Sequence, residues 1–212
     1  MFEVETVIAF LYFVREHVDI VILETGMGGR EDATNVVTRP VCTVFASIGM
    51  DHMQFLGDTI GKIAYQKAGI IKQECPVVSY PNVPEVCSVL ETEWKQCNKN
   101  MTERPEFCVV KRQDVSGISE TIEGSRFRYK GEEYRISLPG SYQIYNAVTA
   151  IETKLLLDGN VHKEALMNVK WPARFECVCT RPLLIRDGAH NVDGVKALRE
   201  SIEKHFTNRR LI

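Results

Sequence analysis

Nothing in the 212 residues reads G-x-x-x-x-G-K-[ST], and the glycine-rich stretch that opens at Gly26 does not space its glycines as G-x-G-x-x-G. Two signatures that seat a pyrophosphate on a helix N-terminus are therefore absent. No apolar run approaches the roughly 20 residues that span a bilayer. Glu3 and Glu5 interrupt the apolar start that a signal peptide would need. Basic blocks are missing too. The 26 Lys and Arg against 28 Asp and Glu leave a net charge of −2, which recommends neither nucleic acid nor an anionic membrane as a partner. No internal repeat or low-complexity tract interrupts the chain. The seven cysteines, Cys42, Cys75, Cys87, Cys97, Cys108, Cys177 and Cys179, are odd in number and scattered. Cys177 and Cys179 would share a strand face, but no second Cys or His pair lies near to complete a zinc site. The set reads as reduced thiols of a cytoplasmic protein.

What is present is a globular α/β pattern. Hydrophobic residues at 44% and charged residues at 25% are enough for a packed core, and the length suits one large domain, or one and part of another. Residues 1–18 carry Val4, Val7, Ile8 and Leu11 at helical spacing, which predicts a helix. The continuous apolar run 20–23 predicts a strand covered on both faces, ending at Glu24. A glycine-rich turn follows, and a second strand is expected over 41–48, ahead of Gly49-Met50-Asp51-His52. Residues 59–71 read as a helix with Asp58 as N-cap and Ile60, Ile63, Ala64 and Ala68 inward. A short strand at 76–79 and a helix at 83–97 complete this half, with Val86, Val89, Leu90 and Trp94 inward.

From Phe107 the period changes. Segments 107–110, 126–129 and 134–138 alternate or run apolar between turn signals, predicting a small antiparallel patch inserted in a mostly parallel fold. A long helix follows Pro139-Gly140, over 141–157, with Ala147, Ala150, Ile151 and Leu155 as its apolar side. A shorter one covers 163–169. Strands are expected at 175–179 and 183–186, separated by Arg181-Pro182. A helix is expected over 192–206, with Val195, Leu198 and Ile202 inward, and a further strand at Leu211-Ile212.

Several residues in this frame could carry chemistry. Glu24 and His52 would sit just past two strand ends, where open α/β sheets bind ligands. Alone, Glu24 reads as readily as a turn carboxylate and His52 as a loop histidine, but a carboxylate there also suits the oxygen preference of Mg²⁺. Lys67 lies on a helix that ends at Gly69, where an exposed lysine is the usual finding. Asn146 lies one turn beyond Tyr142, and a mid-helix Asn often has a specific hydrogen-bonding role. Asp187, His190 and Asn191 stand between a strand end and a helix N-terminus, a natural anion site. Arg174, after Trp171-Pro172-Ala173, is placed like a hinge residue that reaches into a cleft.

Taken together, the stretches Leu23-Glu24-Thr25-Gly26-Met27-Gly28-Gly29-Arg30, Asp32-Ala33-Thr34-Asn35, Gly49-Met50-Asp51-His52, Phe55-Leu56-Gly57, Lys67-Ala68-Gly69-Ile70-Ile71-Lys72, Tyr142-Gln143-Ile144-Tyr145-Asn146-Ala147, Trp171-Pro172-Ala173-Arg174-Phe175-Glu176 and Asp187-Gly188-Ala189-His190-Asn191 resemble the folylpolyglutamate synthase/dihydrofolate synthase family. This is the folate branch of the Mur ligase superfamily. The resemblance spans nearly all of the chain. It implies a mostly parallel central ATPase domain with a small antiparallel insertion, over 1–173, and the start of a Rossmann-like C-terminal domain, over 174–212. It implies an ATP-dependent amide ligase that phosphorylates a folate or dihydropteroate carboxylate and lets the amine of L-glutamate attack the acyl phosphate. It implies a monomer as the full-length enzyme.

Residue by residue, the resemblance makes Glu24 and His52 ligands of Mg²⁺ and Lys67 the lysine whose carbamate helps to hold a metal. It makes Asn146 the contact to adenine, Arg174 and His190 neighbours of the ATP phosphates, and Asp187 a neighbour of the nucleoside. The family's phosphate loop is the one departure. The chain is therefore expected to be the interior of a longer enzyme, lacking the upstream loop and folate-binding segment, and to be inactive and weak in ATP binding by itself. Two other readings stay open. One is another Mur-type ligase acting on a cell-wall precursor; the other is a non-catalytic, nucleotide- or partner-binding remnant.

Overall fold

The computed structural model describes residues 1–207, so the strand expected at Leu211-Ile212 lies outside the described residues. The fold is α/β. The described residues divide into two compact units, the first made of residues 1–43, 48–77 and 83–107 and the second of 44–47, 78–82 and everything from Cys108 onward.

In the first unit, helix α1 (Phe2–Arg15) forms where the periodicity predicts it. Its apolar stripe is not buried, however: Val4, Val7, Ile8 and Leu11 are all exposed, and Thr6 is the buried position. The run 20–23 that should follow as a buried strand forms no strand, and its side chains are exposed. A strand exists only where a neighbour accepts its backbone N–H and C=O groups, and this run belongs to none of the three sheets among the described residues. The expected strand over 41–48 shrinks to β1 (Thr43–Phe45).

Helix α2 (Met53–Leu56) is a single turn. Helix α3 (Ile60–Ala68) is capped by Thr59, whose Oγ accepts from Lys62 N at 3.3 Å, and not by Asp58. The Asp58 carboxylate instead meets Lys62 Nζ at 2.8 Å. Ile63, Ala64 and Ala68 are its buried face. Strand β2 (Val77–Ser79) is wholly buried, and helix α4 (Pro84–Cys97) turns Val86, Leu90 and Trp94 inward, with Pro84 in its first turn, where a missing N–H is harmless.

Strand β3 (Phe107–Val109) completes a sheet of order β1-β2-β3. Its hydrogen bonds step forward together along both strands of each pair, Thr43 N to Pro76 O and Tyr80 N to Phe45 O, Val77 N to Glu106 O and Val110 N to Ser79 O. That is the parallel pattern. Phe107 to Val109 thus belongs to the parallel sheet and not to the antiparallel patch.

The second unit contains that patch as a meander: β4 (Val115–Thr121), β5 (Gly124–Tyr129) and β6 (Glu132–Ile136). Helix α5 (Ser141–Asp158) lays Ile144, Ala147, Val148 and Ile151 in one cluster with Phe127, Tyr129, Tyr134 and Ile136; Ala150 faces out. Helix α6 (Lys163–Asn168) is short. Strands β7 (Glu176–Thr180) and β8 (Leu183–Arg186) pair antiparallel, and helix α7 (Val192–His205) follows. On α7 the expected inward residues are poorly covered: Val195 is exposed, Leu198 and Ile202 are half-buried, and Ser201 is the buried one.

Candidate functional site

The glycine-rich motif is a packing device. A Cβ on Gly69 would stand 2.4 Å from Arg30 Cα, and one on Gly29 would stand 2.6 Å from Lys67 O. Only residues without a side chain allow the loop backbone to lie directly on the last turn of α3. Arg30 then ties the two together. Its N–H donates to Gln66 O at 2.9 Å, its guanidinium meets Glu93 Oε2 at 2.7 Å, and the same group stacks 4.1 Å from the Tyr65 ring centroid. The Asn35 amide donates to Arg30 O and to Gly69 O, each at 3.1 Å.

Asp32 folds the loop from inside. Its carboxylate accepts from Met27 N at 2.9 Å, Thr34 N at 2.9 Å and Thr34 Oγ1 at 2.6 Å. Burial pushes this carboxyl up, but the Thr34 hydroxyl and the Met27, Thr34 and Gly26 N–H groups outweigh it, so the group sits below the usual carboxylate range. The sequence carried a signal for this role: an Asp just before Ala33-Thr34-Asn35 is an N-cap pattern, and a 3₁₀ turn does start at Ala33.

Lys67 is half-buried in the last turn of α3. Burial pulls its amine below the usual lysine range, against the opposing fields of Asp51 and Asp32. Glu24 is exposed in the irregular segment before the loop, not at a strand end. His52 is exposed as well, in left-handed backbone with φ 50°, at the start of α2. Asp51 fixes it, accepting from His52 N at 2.8 Å with Oδ1 4.0 Å from Nε2. Among the described residues no cluster of three or more His, Cys, Asp or Glu stands ready for a metal ion. The first unit thus places Lys67 in the fields of Asp32 and Asp51, with His52 beside Asp51. Neither aspartate stood out as a functional residue in the sequence.

The second unit carries the other four residues. Asn146 is exposed on α5, its amide donating to Gln143 Oε1 at 2.9 Å. Asp187 accepts from Phe175 N at 2.7 Å through one oxygen and from Ala189 N at 2.8 Å through the other. It therefore ties residues 187–189 to the joint at 173–175. That joint is strained, with φ 58° at Ala173 and 49° at Phe175, values that cost a non-glycine residue of order 1–3 kcal/mol. Gly188 N donating to Ala173 O at 2.8 Å and Ala173 N donating to Glu176 Oε2 at 2.8 Å hold it. Arg174 is exposed within this joint. Burial lifts the Tyr142 phenol, helped by the Asp187 charge and opposed by Arg174 and the Gln143 side chain. Tyr142, Arg174 and Asp187 therefore share one neighbourhood. His190 is exposed, with Nδ1 2.9 Å from Gly188 O. A carbonyl can only accept, so Nδ1 carries the proton and Nε2 is the atom left for a ligand.

The chain belongs to the Mur ligase family: the Mur ligase middle domain matches residues 3–153. Its relatives narrow the branch. It is 38% identical to the dihydrofolate synthase/folylpolyglutamate synthase of Bacillus subtilis, over 99% of this chain and 51% of that protein. It is 34% identical to the folylpolyglutamate synthase of Lacticaseibacillus casei, over 97% of this chain and 50% of that one. A solved FPGS–AMPPCP–folate complex superposes with a TM-score of 0.84 at 31% identity, covering 96% of this chain and 51% of its own. The chain spans about half the length of the curated relatives it matches.

Proposed function

We propose that this chain is the part of a folylpolyglutamate synthase/dihydrofolate synthase that presents the metal- and nucleotide-facing residues. The reaction joins L-glutamate to the carboxylate of a folate or dihydropteroate through an acyl phosphate, with release of ADP and phosphate. The observation that carries the reading is the setting of Lys67. Its backbone carbonyl is packed against Gly29, the residue is half-buried, and its amine lies below the usual lysine range. A neutral amine is the form that takes up CO₂, losing one proton as the N–C bond forms, to become a carbamate anion.

The donor set fits Mg²⁺ in kind: the Glu24 carboxylate, the His52 imidazole and the Lys67 carbamate would hold it. Such an ion supplies charge neutralisation at the phosphates. Asp51 keeps His52 in place from behind. On the nucleotide side, the bond from the Asn146 amide to Gln143 leaves Oδ1 to accept from the exocyclic amine of adenine. Arg174 donates to phosphate oxygens from the 173–175 joint. His190 donates from Nε2 only as the doubly protonated imidazolium, since Nδ1–H is spent on Gly188 O. Asp187 orients both through its two backbone bonds. None of the seven cysteines is in a disulfide, which agrees with a reducing, cytoplasmic setting.

A chimera tests the reading. This chain replaces the aligned half of the Bacillus subtilis relative, and ligation is read as ADP release and as the γ-glutamyl product by mass spectrometry. Turnover with dihydropteroate or folate is expected, and Lys67→Ala, Glu24→Ala and His52→Ala each abolish it without unfolding the chimera. Turnover with a muramoyl nucleotide and none with either pteridine would replace this reading with the cell-wall one.

A further inference from the structure

The last helix docks in an unusual way. Ser201 is its buried residue, and Val195 stays 53% exposed. The close tie it makes to the antiparallel sheet is polar: Lys204 Nζ lies 2.9 Å from Glu120 Oε1, and the Glu120 side chain is 2% exposed. A β-bulge puts Glu120 there. The pairing of β4 with β5 slips between Ser116 and Ser119, around Gly117 at φ 60°. In a regular strand Glu120 would share the outward face of Ser116. The extra residue turns it inward, opposite Ser125, which is 5% exposed. Glu120 Oε2 and Ser125 Oγ are then both buried with no hydrogen-bond partner.

A buried carboxylate with one half-exposed cation beside an unpartnered hydroxyl is poor core construction. It suits a contact that must let go. The helix it holds begins at Asn191, whose side chain caps it by accepting from Gly194 N at 2.8 Å. Its 14 residues carry a displacement at Lys204 about 20 Å along the axis to the loop at 187–191.

We propose that Glu120 and Lys204 form a releasable latch, and that they are positioning residues for the loop bearing Asp187 and His190. The link from latch to nucleotide rests on the reading of that loop given above; the latch itself does not.

Amide hydrogen exchange on the 212-residue chain tests the latch. Lys204→Met and Glu120→Gln should each speed exchange across residues 187–205 by roughly 10- to 100-fold, leaving β5 and β6 unchanged, as a local opening does. Lys204→Arg should behave like the parent. The double variant Glu120→Leu with Lys204→Met should return exchange to within about threefold of the parent, because apolar contact replaces the ion pair. If a single variant folds poorly, Lys204→Gln serves in its place. Unchanged exchange at 187–205, or loss of protection spread evenly over β4 to β6, overturns the latch. In the chimera, Lys204→Met should weaken AMPPCP binding about tenfold while kcat at saturating nucleotide holds within about twofold. Faster exchange with unaltered AMPPCP affinity keeps the latch and rejects the nucleotide reading of the loop.

Discussion

Helices α1 and α5 are written in the same code and end in opposite places. Each repeats apolar residues at helical spacing. In α5 that spacing delivers Ile144, Ala147, Val148 and Ile151 into a cluster with Phe127 and Tyr134. In α1 it leaves Val4, Val7, Ile8 and Leu11 between 56% and 66% exposed. The period of a sequence specifies a helix and its apolar side; burial needs a second surface, which the antiparallel sheet provides for α5. The hydrophobic term counts area removed from water, so equal patterns contribute very unequally to stability.

The sharpest way to break the comparison is at the centre of the α5 cluster. Phe127 is fully buried and stacks on Tyr134 at 5.7 Å. Phe127→Ala should cost about 3–5 kcal/mol in urea unfolding. A smaller loss follows from Lys130→Met. Lys130 Nζ lies 2.7 Å from Glu152 Oε1, on a carboxylate only 7% exposed, and Cys108 Sγ lies 3.3 Å from its other oxygen. Removing the cation leaves that charge in the core and should cost about 1–3 kcal/mol, recovered largely by adding Glu152→Leu.

Asp32 supplies a pH-dependent effect in the first unit. Its folded-state pKa is lowered, so its stabilisation is present above the unfolded value and is lost as pH falls through the folded one. Asp32→Asn should lower the melting temperature at pH 7 and converge with the parent in acid; parallel curves at all pH values would refute the assignment. The smallest effect is predicted at Leu11. Leu11→Ser on the 212-residue chain should change stability by less than about 0.5 kcal/mol, and a loss as large as that of a core leucine would show that α1 is covered.

Much of the layout was legible in the sequence, because helical period, proline and glycine breaks and capping residues are local signals. Helices α3, α4, α5 and α7 lie within a few residues of their expected bounds. What failed was non-local. The run 20–23 has strand composition but no partner to pair with. Strand β4 was unreadable because Ser116-Gly117-Ile118-Ser119 breaks alternation at the bulge. Phe107 to Val109 looked like part of the patch because composition does not say which neighbour a strand will find. For the candidate site, the motifs name Lys67, His52, Asn146 and the 187–191 loop as candidates. The supporting bonds from Asp32, Asp51, Glu93 and Gln143 come from contacts that a motif does not print.

The contact between Gly29, Gly69 and Arg30 has a mechanical consequence. Side chains are compliant and absorb a shift by changing rotamer. Gly29 and Gly69 offer no such cushion, and at each the gap has no room even for a methyl group. Gly29 and Arg30 are therefore tightly coupled to the last turn of α3. A shift of Gly29 or Arg30 thus bears directly on the backbone at Lys67 and Gly69, with no flexible side chain at the contact to take it up.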